Sequence, residues 1–227
     1  MKTPRSAQSS QASADAGQGG AMGLLLRLRT MGITNADFLK QVEAARHDLF
    51  VPVEHYLQAW EPNSLPIPCG QTMPPPDLTA RIVEALDVHP SHAVLEIGTG
   101  TGYQTAILAQ RAKKVRTTDR YQTLLEFARK GLDRLGVANV TFHHSDGRDG
   151  TGGKALFDRI VVDSVYPSVP RGLLGDLASG GVVVTAIGEP GEEQVLVKLT
   201  KIGSRFERED LFPVRLSPLE EGVAKAL

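Results

Sequence analysis

The sequence predicts an α/β protein built on a doubly wound, mostly parallel sheet, with a helical and irregular segment ahead of it. Three observations carry that expectation. From about Asp77 the apolar pattern alternates between helical and strand periods. A glycine-rich loop, Gly98 to Gly102, joins an apolar strand to a helix. The two predicted strands that follow each run out at an aspartate, Asp119 and Asp146.

Taken in order, residues 1–22 are rich in Ser, Ala, Gln and Gly, offer almost nothing to bury, and read as a disordered tail. Lys2 and Arg5 are followed by a polar stretch rather than an apolar one, which argues against a secretory signal. Residues 23–76 form an N-terminal helical and lid segment. Leu24, Leu25, Leu28 and Met31 predict one helix that Gly32 stops. Thr34 or Asn35 caps a second helix carrying Phe38, Leu39 and Val42. Prolines between Phe50 and Pro76 then forbid long helices.

Residues 77–227 form the sheet domain. It opens with a helix at Leu78–Leu86, a strand at Ala93–Ile97, a helix at Tyr103–Arg111, a strand at Lys114–Thr118 and a helix at Gln122–Leu135. Strands at Val140–His144 and Phe157–Val162 follow, then a helix near Arg171–Leu177. Strands at Gly181–Ile187, Gln194–Ile202 and Asp210–Leu216 close the chain. That succession is Rossmann-like.

With 227 residues, 41% of them hydrophobic, the chain has enough to bury one core. A formal net charge of -1 gives no global electrostatic reason to expect nucleic acid or an anionic membrane as partner. No stretch approaches the roughly 20 apolar residues that cross a bilayer. Cys69 stands alone, so it forms neither an internal disulfide nor a multi-cysteine metal site, and a reducing, cytoplasmic setting follows. The histidines, His143-His144 among them, lack metal-like spacing, and no metal is expected. A monomer is expected.

The glycine loop carries the chemistry. Gly98, Gly100 and Gly102 let the backbone pass close beneath a ligand, and the following helix points free N–H groups toward it. Where a dinucleotide fingerprint wants a third small residue, the chain has Tyr103. A bulky side chain there weighs against NAD and toward S-adenosylmethionine as the nucleotide. Asp119 lies about 20 residues past the first glycine, where an acid accepts from the two ribose hydroxyls. Asp146, with Gly147, closes the next strand and is placed to accept the adenine amino group. The donor-binding set is therefore Glu96, Gly98, Thr99, Gly100, Gly102, Tyr103, Asp119, Arg120, Asp146 and Gly147.

Beyond this loop the chain resembles the protein-L-isoaspartate O-methyltransferases over roughly Leu24 to Leu219. The stretches RHDLFVP (Arg46 to Pro52) and LPIPCGQT (Leu65 to Thr72) are similar to the family's N-terminal signature on the lid over the donor. Asp119-Arg120, Asp146-Gly147, the proline pair Pro167 and Pro170, and the closing VRLSPL continue the likeness. The resemblance implies methylation of the stray carboxylate of isoaspartyl residues in damaged proteins. The ester then collapses to a succinimide that reopens as aspartate.

Two positions depart from the family. Its lid motif continues past Gln71-Thr72 into a serine that contacts the substrate carboxylate; here Pro74 occupies that position and offers no hydroxyl. Thr72 is the substitute donor on the catalytic wall with Gln71, or else it supports the lid backbone. After DRIVV the family has a small, alanine-rich run; here stand Asp163-Ser164-Val165-Tyr166. Asp163 either faces the pocket, where it disfavours a carboxylate and suits a cation, or caps a helix end or pairs with Arg171. Two alternatives stay open at this point: a small-molecule methyltransferase with an altered acceptor pocket, and a non-catalytic protein that binds the donor.

Overall fold

A computed structural model describes residues 20–153, 156–169 and 171–224. The tail expected at residues 1–22 falls outside the described residues as far as residue 19, and Pro170 of the proline pair lies outside them too. Residues 20–22 are helical: helix α1 covers residues 20–30, earlier than its first leucines imply. Helix α2 (Ala36–Ala44) is capped by Asn35, whose side chain accepts from the backbone N–H of Asp37 and Phe38 and so satisfies two otherwise unpaired donors. The proline-rich stretch contains short 3₁₀ turns at His47–Phe50, Val53–Gln58 and Pro68–Gly70. Around the last of these folds a small antiparallel hairpin, β1 (Leu65–Ile67) with β2 (Gln71–Met73).

Helix α3 (Pro76–Ala85) starts on a proline, which lacks the N–H that a first helical turn leaves unpaired. There follow β3 (Ala93–Ile97), α4 (Tyr103–Arg111), β4 (Lys114–Asp119), α5 (Gln122–Arg134) and β5 (Val140–His144). Then come β6 (Phe157–Tyr166), α6 (Arg171–Gly175), β7 (Leu177–Ile187), β8 (Gln194–Ile202) and β9 (Arg205–Val214). The seven strands form one sheet in the order β5-β4-β3-β6-β7-β8-β9. Strands β5 to β7 are mutually parallel, and β8 and β9 add an antiparallel edge.

Strand β3 feeds β4 and β5 on one side while β6 and β7 build the other, so the direction of winding reverses between β3 and β6. Ligands of open α/β sheets collect at such a point. The sheet buries both faces, as its apolar strands require. Val94, Val161 and Val184 face a core shared with Leu24, Leu28, Phe38 and Ile107, whereas Leu95, Ile160, Val162 and Val183 face a second one with Leu173 and Leu177. The N-terminal segment is therefore joined to the sheet through its own core. Arg27 adds a polar tie, forking onto Asp77 at 2.7 and 3.1 Å and reaching the carbonyl of Trp60 at 2.7 Å.

Three strand limits differ clearly from the sequence expectation. The first is β7, which begins at Leu177, expected to end a helix, rather than at Gly181. The last strand begins at Arg205, not Asp210, because its charged outer residues lie on an open sheet edge and break the apolar pattern. Strand β6 does not stop at Val162. It runs on to Tyr166 through a bulge in which the four steps from Val161 to Val165 are matched by two steps, Val184 to Ala186, on β7.

Candidate active site

The glycine loop leaves β3 and enters α4 with left-handed backbone at each glycine: φ is 92° at Gly98, 54° at Gly100 and 100° at Gly102. Its first N–H groups are fixed by the neighbouring strand, since Gly98 N and Thr99 N donate to Thr118 O at 2.9 and 3.2 Å. Behind the loop lies a polar brace. Glu96, fully buried, accepts from Gln104 (3.1 Å), Thr105 and Thr117 (2.7 Å), and the Thr117 hydroxyl meets that of Thr99 at 2.6 Å. Burial raises the Glu96 carboxyl to about 7 against the pull of those three donors.

Tyr103 points the same way. Its buried ring packs edge-on against His47, centroids 4.3 Å apart, and tilted against Phe50 at 6.3 Å. His47 Nδ1 pairs with the carbonyl of Ala59, and burial holds its pKa down at about 4, so the imidazole is neutral near pH 7. The RHDLFVP stretch thus clamps the loop from the rear. A Cβ on Gly102 would come 2.7 Å from Ala128 Cβ and 3.3 Å from Phe50, at a φ that side chains disfavour. Gly102→Ala is accordingly expected to cost about 2 kcal/mol or more, lowering the melting temperature by about 4–8 °C in a thermal unfolding scan.

In front of the loop opens a cavity lined by the lid, the glycine loop and the ends of the central strands. Its floor is Gly98, Gly100 and the ends of the central strands. Asp119, at the end of β4, accepts from Gly100 N and Tyr121 N, both at 2.9 Å, one on each carboxylate oxygen. Each oxygen keeps a second lone pair for a ligand hydroxyl. Burial raises the Asp119 pKa, and the bonds from the N–H groups of Tyr121, Gly100 and Arg120 oppose that shift. Asp146, past β5, accepts from Arg148 N (2.9 Å) and Gly222 N (2.7 Å), with Gly147 beside it on the wall.

The lid hairpin forms the opposite wall with Ile67, Gln71, Thr72 and Pro74. Gln71 donates to the Tyr121 hydroxyl at 3.3 Å. The Thr72 side chain makes no hydrogen bond among the described residues and is exposed.

A third wall comes from the segment after β9, where Arg215 to Glu220 line the cavity and the chain continues across its mouth. Arg120 ties this strap down. It donates to Gly222 O at 2.8 Å and Glu221 O at 3.1 Å, and it pairs with Glu220, which also accepts from the Tyr121 hydroxyl at 2.9 Å. Ser217 O accepts from Val165 N at 3.1 Å, anchoring the strap to the end of β6. Arg120→Ala removes two bonds to the strap carbonyls, together worth about 2 kcal/mol, and is expected to speed donor release about thirtyfold in stopped-flow displacement.

The structure brings Gln71, Thr72, Pro74, Gly98, Gly100, Asp119, Arg120, Asp146 and Gly147 to one cavity. Glu96, Thr99, Gly102 and Tyr103 are not on its wall; they brace the loop from behind. Asp163 does face the cavity and makes no ion pair with Arg171 among the described residues. The strap, Ser64 and Leu124 also line the cavity, and the sequence did not single them out as site residues. The only signal for the strap was the closing VRLSPL stretch.

A glycine loop at the switch point, an acid on each of the next two strand ends and a lid folded over both define an S-adenosylmethionine-dependent methyltransferase of Rossmann-like fold. Comparison with known proteins narrows the class. Residues 21–224 match the family described as protein-L-isoaspartate(D-aspartate) O-methyltransferase, and the chain belongs to that family. It is 40% identical to the protein-L-isoaspartate O-methyltransferase of Parvibaculum lavamentivorans, covering 95% of this chain and 98% of that one. The enzyme of the same name from Azorhizobium caulinodans is 42% identical, covering 89% and 94%. Among solved structures, a putative protein-L-isoaspartate O-methyltransferase from Plasmodium falciparum, in complex with S-adenosyl-L-homocysteine, superposes with a TM-score of 0.72. That match spans 87% of this chain and 97% of the other at 22% identity, which speaks to the fold.

Proposed function

We propose that this enzyme methylates the free carboxylate of isoaspartyl residues in damaged proteins, with the lid hairpin presenting that carboxylate to the donor. One observation carries the reading: Gln71, Thr72 and Pro74 of the lid face the glycine loop across a single cavity. The residues present fit the donor. Asp119 keeps lone pairs for two ribose hydroxyls, and Gly98 and Gly100 leave room where side chains would fill the floor. Asp146 and Gly147 flank the adenine end.

When bound, S-adenosylmethionine supplies an electrophilic methyl group on a sulfonium. The acceptor carboxylate has an ordinary pKa near 4, so it arrives ionised near pH 7 and needs no general base. The protein's part is then positioning and dryness. The lid and the strap exclude water, and alignment of this kind supplies roughly 7–11 kcal/mol. The Thr72 hydroxyl donates to the acceptor carboxylate in place of the absent serine, while Gln71, held by Tyr121, fixes the lid wall.

The enzyme acts as a cytoplasmic monomer, without nucleic acid or membrane as partner. The single cysteine and the net charge of -1 support this setting. Edge strand β9 supports the monomer, since exposed Arg205, Glu207, Arg208, Glu209 and Asp210 oppose pairing with a second sheet. Among the described residues no helix is long and apolar enough to cross a membrane. The test follows a peptide aged at an Asn-Gly site. Incubation with enzyme and donor should convert its isoaspartyl form to the aspartyl form by chromatography. An isoaspartyl pool that persists while the donor is bound would refute the reading.

A further inference from the structure

Among the described residues, Asp163 is the one acid on the cavity wall that the fold leaves without a partner. Asp119 and Asp146 each accept two backbone N–H groups, and Glu220 is held by Arg120 and Tyr121. The Asp163 carboxyl accepts no hydrogen bond from any of them, and its Oδ1 is shut off from solvent. Asp163 is only partly buried, but a carboxylate oxygen shut off from solvent with no partner is costly unless something meets it. The bulge in β6 lies where this side chain stands, and bulges re-aim side chains. Here the side chain turns toward Gly98, whose ideal Cβ position lies 3.3 Å from Asp163 Cβ.

The order of strands says what arrives there. Asp146, Asp119 and Gly98 stand at or just past the ends of β5, β4 and β3, and Asp163, inside β6 and next after Val162, which pairs with Ile97, stands level with Gly98; the four neighbouring strands are spaced about 4.8 Å apart. With adenine at Asp146 and ribose at Asp119, the donor's amino-acid end extends over Gly98 to Asp163. We infer that Asp163 receives the α-ammonium group of S-adenosylmethionine, a contact built by this chain's own departure from the alanine-rich run. The inference rests on the reading of this cavity as the donor site.

The contact couples donor binding to a proton. Facing Asp163 are Glu96 on β3 and Asp119 at the end of β4; Asp146, Arg120, Arg215 and Glu220 line the same cavity. Burial first, then the Asp119 charge, raises the Asp163 carboxyl to about 7. The empty protein therefore holds a proton on Asp163 from its ordinary carboxylate range up to about pH 7. An arriving ammonium group favours the carboxylate and expels that proton, so donor affinity rises with pH up to about 7 and falls again once the ammonium group itself loses its proton. Once paired, Asp163 no longer repels an acceptor carboxylate.

Calorimetry of donor binding to the whole protein, in buffers of differing ionisation enthalpy, tests this without turnover. The wild type should release close to one proton at about pH 6 and progressively less as the pH rises through about 7. S-adenosylhomocysteine, which keeps the ammonium, should do the same, and 5′-methylthioadenosine, which lacks the amino-acid end, should release none. Asp163→Asn, near in shape, should bind about tenfold more weakly at about pH 7.5 and release no proton. Donor binding to the wild type without proton release overturns the inference, as does an Asp163→Asn protein that still releases a proton, which would point to Glu96. Release with S-adenosylmethionine but not with S-adenosylhomocysteine would place the sulfonium there and overturn it too. Failure of the wild type to bind any donor would instead defeat the reading of the cavity.

Discussion

Asp119→Ala should weaken donor binding at least about 100-fold, measured by calorimetry with S-adenosylhomocysteine. Two charge-assisted bonds to ribose hydroxyls are each worth about 1.5–3 kcal/mol, and both are lost. The same carboxylate fixes Gly100 N and Tyr121 N, so the glycine floor and the start of α5 loosen together. Asp119→Asn separates the two effects: its amide oxygen can still accept one N–H, so loop order is partly kept while the charge is lost. An alanine variant that stays folded and binds with unchanged affinity would remove the ribose from this strand end.

Pro74→Ser should raise kcat/KM on isoaspartyl peptides about tenfold or more. The substitution returns a hydroxyl to the lid wall, and one charge-assisted bond to the acceptor is worth about 1.5–3 kcal/mol. The gain should appear mainly as lower KM if the bond forms equally in ground and transition states, and mainly as higher kcat if it tightens during transfer. Thr72→Val, made both alone and together with Pro74→Ser, reports on the substitute. Activity lost in the single variant but kept in the double variant would show that the two hydroxyls do the same work. No response to Pro74→Ser would place the carboxylate contact away from this wall.

The sheet was legible because parallel strands buried on both faces leave continuous apolar runs, AVLEI at β3 for example, and because an Asn before an apolar-periodic stretch caps a helix. Asp119 was legible for a similar reason: one strand-helix-strand unit has a fixed length, which sets the acid's distance from the first glycine. What stayed hidden depends on partners far along the chain. Glu96 and Tyr103 sit beside glycines and read as ligand contacts, yet their partners, Thr105, Thr117 and His47, turn them inward. The strap is held largely through backbone groups, as in Gly222 N to Asp146 and Arg120 to the carbonyls of Glu221 and Gly222, and side-chain patterns do not encode those bonds. The continuation of β6 past Val162 was masked by its bulge, which breaks the two-residue rhythm at Asp163.

Methylation of an isoaspartyl carboxylate is the reaction expected of this cavity. Labelled S-adenosylmethionine, offered with an isoaspartyl peptide and with its aspartyl isomer, tests it most directly. Methyl transfer to the isoaspartyl peptide and none to the isomer is the expected result. Equal inactivity on both, in protein shown by calorimetry to bind the donor, would contradict it.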